Sequence, residues 1–130
     1  MTRRARDPVT GDDAGAASSL SVALLAPLFV VLAFAAFQAA LWGHAKTEAR
    51  VIARDTAGLV ARSGVAEGDA RAAAGAILSA DTDLRNVSVH VTNTSGVVTV
   101  TVSGDAPGII RGTSSRLSVT AALPVEEPTP

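Results

Sequence analysis

The stretch that decides the architecture is Leu20–Trp42, LSVALLAPLFVVLAFAAFQAALW. It lies inside a longer run, Ala14 to Gly43, that carries no charged side chain. As a helix it measures about 34 Å at about 1.5 Å per residue, enough for a hydrocarbon layer of about 30 Å. In lipid only helices and closed barrels satisfy their own backbone polar groups, and one segment cannot close a barrel. Residues 20–42 therefore read as a transmembrane helix, because a core helix of a soluble protein rarely runs this long without charge. Trp42 sits at its far end, where an indole favours the lipid–water boundary.

Two residues interrupt the apolar pattern. Pro27 cannot donate to the carbonyl of Ala23, so a kink or local loosening is expected there. Gln38 is polar and lies near the boundary. It reads as a residue satisfied there by water or as a bond to a neighbouring helix. Charge does not orient the span: Arg3, Arg4 and Arg6 precede it, and Lys46, Arg50 and Arg54 follow it. Gly43-His44-Ala45 has small residues spaced as signal peptidases prefer, so a secreted protein freed by cleavage after Ala45 is an alternative. The apolar run is longer than the usual signal of about 7–15 residues.

Beyond the span the helical pattern continues over residues 43–63. Ala45, Ala49, Ile52, Ala53, Thr56, Leu59 and Val60 share one face, and Lys46, Arg50 and Arg54 line another. Ser63-Gly64 reads as the stop, with glycine suited to a left-handed cap. A second helix is predicted from Glu67 to Ala80, with acids at its positive end and a thin apolar face of Ala73, Ala76, Ile77 and Ala80. Asp81-Thr82-Asp83 reads as a turn.

Three strands follow. Val87, Val89 and Val91, then Val98, Val100 and Val102, then Leu117, Val119 and Ala121 alternate with mostly polar residues. Period-two alternation of β-branched residues marks half-buried strands. Asn93-Thr94-Ser95-Gly96 joins the first two as an antiparallel hairpin. Gly104 to Ser115 reads as a longer loop. The expected class is α+β: a long N-terminal helix leaving the membrane, a short second helix and a small antiparallel three-stranded sheet. The expected divisions are a polar leader over 1–19, the span over 20–42, a helical extension over 43–63, an α+β domain over 64–123 and a mobile Pro/Glu tail over 124–130.

Composition narrows the function. The 130 residues carry a net charge of −1 and no cysteine. No basic stripe interleaved with aromatics supports nucleic-acid binding, and no thiolate site or disulfide can form. After Trp42 there is no Phe, Tyr or Trp, so the domain's core must be Val, Leu, Ile and Ala. Aromatics usually dominate small cores, so this domain should be marginal alone and should gain stability from neighbours. His44 and His90 have no partner at metal-ligand spacing. There is no G-x-S-x-G elbow and no glycine-rich phosphate loop. Glu67 with Asp69, and Asp81 with Asp83, read as helix-start and turn residues. Asn86-Val87-Ser88 and Asn93-Thr94-Ser95 read as chance matches to a glycosylation pattern. The expectation is a protein without catalytic, metal or cofactor-binding residues, and so not an enzyme. Abundant Ala and Arg over Lys suggest a GC-rich bacterial genome.

The segment from Asp13 to Trp42, with its Leu24-Leu25-Ala26-Pro27 step, resembles the N-terminus of TadE-like proteins, pilin-like subunits of the Tad/Flp branch of type IV pilus systems. The helical exit QAALWGHAKTEARVIARDTAGLVARSG, Gln38 to Gly64, is similar to actinobacterial versions, as is VTVTVSGDAPGII, Val98 to Ile110. The resemblance implies a single-pass protein of the cell membrane with its C-terminal domain outside. Its partners would be the membrane and other pilin-like or pilus assembly subunits, with no small-molecule substrate. It places a prepilin-peptidase cut between Ala16 and Ala17, with Gly15 before them. It places the family's glutamate, which pairs with a neighbour's new N-terminal amine, on Ser21. Serine supplies no charge, so the resemblance leaves a minor pilin, an assembly component or an unprocessed anchor. Small residues let helices approach closely in lipid. Ala36, Ala39 and Ala40 in the span, continued by Ala49, Ile52 and Ala53, are the expected association face. A single-pass binding or scaffold protein unrelated to pili is the other reading.

Overall fold

The computed structural model describes residues 13–125, with side chains from Ser19 onward. The polar leader and the Pro/Glu tail therefore lie largely outside the described residues. Five elements follow one another: α1 (Asp13–Ser63), α2 (Glu67–Asp81), β1 (Arg85–Thr94), β2 (Val97–Ala106) and β3 (Ser115–Pro124). The class is α+β, with the three strands in one antiparallel sheet ordered β1-β2-β3.

α1 runs unbroken through Pro27, Gly43 and Gly58 and ends where the chain turns left-handed at Gly64, φ +61°. A side chain at that φ is strained, which explains glycine directly after the helix. The division of the chain differs from the one expected. A compact unit begins at Phe37, so residues 43–63 belong to the folded domain and are not a separate extension. Ala45, Ala49, Ala53, Ala57 and Ala61 are all buried, each one four-residue step from the last. Such a row forms an inclined ridge on the helix, and alanine lets that ridge approach close to what it covers. Thr56 is buried beside it, its hydroxyl donating to the Ile52 carbonyl at 2.7 Å. Leu59, expected on this face, is half exposed, and Ala57 takes its place.

The other wall of the core is the sheet. Val98, Val100 and Val102 on β2 are completely buried and flanked in register by Val91 and Val89 on β1 and by Ala121 and Val119 on β3. Each buried valine contributes roughly 1.5–3 kcal/mol. All these residues form one apolar cluster with the α1 alanines, Leu78 and Leu84. The strand faces are those that the alternation predicts. The opposite face is a polar array, with Thr101 at the centre between His90 and Thr120 and joined to Thr120 by hydroxyls 3.1 Å apart.

Four local features depart from the sequence reading. The buried residues of α2 are Ala70, Ala74 and Leu78, so the apolar face is rotated by about one residue, roughly 100°. Leu78 is fully buried while Ile77 is 46% exposed. The hairpin is tighter than expected: Thr94 pairs with Val97 across Ser95 and Gly96, both at positive φ, as a two-residue type I′ turn requires. Gly104, Asp105 and Ala106 are paired strand residues, not loop. Gly104 sits opposite the register shift between Arg85 and Ser88, where a Cβ would come within 3.3 Å of the Arg85 carbonyl oxygen. The expected tail also starts later, since Pro124 closes β3 and the Val125 amide donates to the Gly96 carbonyl at 2.7 Å.

Candidate functional site

The feature with the clearest functional meaning is α1. It is long and apolar enough to cross a membrane, and the apolar segment from Ser19 to Phe37 is exposed on every side. Exposing Phe29, Val31, Phe34 and Phe37 to water would be costly, whereas lipid accepts them. Ser21 lies on this exposed stretch, while Gly15, Ala16 and Ala17 lie outside the residues whose side chains are described.

Gln38 is the first residue after the exposed apolar segment to become partly covered. Its side-chain amide holds the backbone of the loop between β2 and β3. The Ile109 amide donates to Gln38 Oε1 at 3.0 Å, and Gln38 Nε2 donates to the Thr113 carbonyl at 3.4 Å. Between those contacts the chain makes a β-turn, the Thr113 amide donating to the Ile110 carbonyl at 3.1 Å. Gly112, at φ +89°, occupies the turn position that favours glycine. Any Cβ on Gly108 would collide with Thr113. One helical turn after Gln38, Trp42 is flanked by Lys46, whose Nζ lies 4.6 Å from the ring centroid, a cation–π pair at the end of the apolar run.

The expected association residues divide into two groups. Ala36, Ala39 and Ala40 are exposed. Ala49 and Ala53 are fully buried in the chain's own core, and Ile52 packs partly against it. The second group does not form an open seam for another chain, because the sheet already occupies it. His44 bonds Glu48 one turn away at 3.1 Å, and His90 is exposed on the polar face of β1. Among the described residues no cluster of His, Cys, Asp or Glu is arranged to hold a metal. An open cleft of about 710 Å³ lies beside the end of α1, the start of α2, Asn93 and Val125. Its charged lining residues are Arg62 and Glu67, with no nucleophile–base pair.

The contact from Gln38 to the loop is what reading the sequence missed. Two signals pointed to it. Gln38 is the single amide side chain in the apolar run over 20–42, and Ile109-Ile110 is a bulky pair in an otherwise small and polar loop. Nothing in either segment links them across the intervening chain. Compared with known protein families, curated proteins and solved structures, the chain matches none.

Proposed function

We propose that the chain is a TadE-like, pilin-related subunit that serves the assembly of Tad/Flp-type pili. In this reading it is a single-pass protein of the cell membrane with its C-terminal domain outside, acting through helix association within the membrane. The observation that carries the reading is α1 itself, whose apolar segment is exposed on every side and whose later residues form part of the domain's core. A cut after Ala45 would remove Gln38 from its loop and Ala45 from the core, so the structure favours retention of the anchor over release.

With Ala49 and Ala53 committed to the domain, association rests on the exposed small residues of the span. Ala36 and Ala40 are spaced so that two helices can approach closely. Serine at position 21 lacks the carboxylate that would neutralise a neighbour's amine. The role that fits is therefore a minor or assembly subunit in a mixed complex, not the repeating unit of a filament.

The chain has no native cysteine, so single cysteines give a clean test. Ala36→Cys in native membranes should crosslink to another pilin-like chain identified by mass spectrometry, and Ala49→Cys should not crosslink. Adducts only with itself would replace the minor-subunit role with a homomeric one. No adduct at position 36, together with normal pili in a strain lacking the protein, would overturn the reading in favour of a tethered module. Protease added to spheroplasts should clip the domain, and full protection would reverse the topology.

A further inference from the structure

We propose that the loop between β2 and β3 is a second membrane contact, which seats Ile109 and Ile110 in the interfacial layer of the leaflet on the domain's side. The proposal rests on the reading of α1 as a membrane span.

Depth is the first argument. Gln38 lies one turn, about 6 Å along the helix, to the lipid side of Trp42. An indole at the end of an apolar run marks the boundary. A loop whose Ile109 amide and Thr113 carbonyl bond the Gln38 side chain is therefore drawn to the boundary or slightly below it. Gln38 and the loop lie in the same compact unit, so this placement is internal to the domain.

Chemistry is the second argument. Ile109 is 40% and Ile110 63% exposed, large apolar side chains that the domain's core of Ala, Val and Leu leaves outside. Phe37 and Leu41, apolar residues next to Gln38 on the helix surface, are exposed as well. Arg111 follows at the turn, where a guanidinium can reach lipid phosphate while its stem lies along apolar chains.

Backbone satisfaction is the third. An irregular loop is excluded from lipid when its amides and carbonyls are unpaired. Here the Ile109 amide, the Ile110 carbonyl, the Thr113 amide and the Thr113 carbonyl are all engaged, two of them by Gln38. The Thr113 hydroxyl also donates to the Ile110 carbonyl at 2.7 Å. Four backbone groups of the loop are thus already paired where it presents its two isoleucines. This gives Gln38 a purpose in a segment that otherwise excludes amides: it fastens the domain's lower loop to its own anchor.

The test uses the full-length chain in vesicles of phosphatidylcholine and phosphatidylglycerol, at a protein density low enough to keep copies apart. Nitroxide labels are placed singly through Ile110→Cys, Phe34→Cys and Ser95→Cys. Their collisions with oxygen, which concentrates in lipid, are compared with those of a water-soluble nickel chelate. Position 34 should favour oxygen strongly, and position 95, at the opposite hairpin turn, should favour the chelate. Position 110 should favour oxygen, at a shallower depth than position 34. Adding Gln38→Leu should shift the label at 110 towards the chelate. Chelate-dominated collisions at 110 with lipid-like collisions at 34 would overturn the loop contact and leave the span intact. Poor access of both agents at 110 would overturn it in favour of a protein cover. Water-like behaviour at 34 would remove the span itself, and the loop contact with it.

Discussion

The two halves of α1 use the same small residue for different ends. From Ser19 to Phe37, alanines are scattered among Leu, Val and Phe, and every side chain is exposed. From Ala45 to Ala61, alanines recur at four-residue steps and all are buried. The difference lies in the company they keep. In the second half Lys46, Arg50 and Arg54 mark a face that stays in water, so the alanine ridge has one direction in which to pack, and the chain's own sheet fills it. The first half has no polar face, and therefore no preferred side. A small-residue stripe beside a charged stripe points to an internal partner, whereas a small-residue stripe in a uniformly apolar helix leaves its partner outside the chain.

The largest expected effect comes from removing the second half. The fragment Gly64–Pro130 loses the helical wall of its core and should show no cooperative thermal transition by circular dichroism, whereas Gly43–Pro130 should show one. Equal transitions would mean that the alanine ridge contributes little, and the comparison would fail. Next is the strand that faces the helix. Val100→Asp buries an unpaired carboxylate at a cost of several kcal/mol and should unfold the domain. Thr101→Asp, on the polar face, should lower the midpoint only slightly. Leu78→Ala should cost about 2–5 kcal/mol in chemical denaturation, against about 0.5 kcal/mol or less for Ile77→Ala. The reverse order would restore the Ala73, Ala76, Ile77 and Ala80 face that the sequence pattern predicts for α2. Smallest is the direct contrast between the halves. Ala49→Leu overpacks the ridge and should cost the domain about 1–3 kcal/mol. Ala36→Leu should leave domain stability unchanged and reduce only the crosslinking of the anchor through a cysteine placed by Ala40→Cys.

Much of this was legible in the residues. The strand faces follow from strict alternation of valine with threonine and serine, and Gly64 marked the end of α1 because a left-handed position follows it. The helical face was readable at Ala45, Ala49, Ala53 and Val60 because charges on the other side fixed its phase. α2 was misread because Ile77 and Leu78 are neighbours of similar apolarity in an alanine-rich helix. A helix with so weak a pattern takes its phase from tertiary contact, and Leu78 won. Reading Gly104 as the start of a loop treated it as a breaker. It is instead the residue that allows the bulged end of β1 to approach β2. The candidate site was half visible: the long apolar helix was plain, but the grip of Gln38 on Ile109 and Thr113 joins residues far apart in the chain, and no local pattern encodes it.

The sequential order of the elements has a consequence for biosynthesis. The strands are joined as neighbours, β1 to β2 to β3, so the sheet closes through short-range contacts that form quickly. Its helical wall, however, comes from the beginning of the chain and leaves the ribosome before any strand exists. The segment Val97–Val102, VVTVTV, is uncharged, β-branched and free of proline, the composition that self-associates when left uncovered. Synthesising the alanine ridge first means that this strand emerges with its cover already made. The chain carries, in effect, its own chaperone upstream of the segment that most needs one.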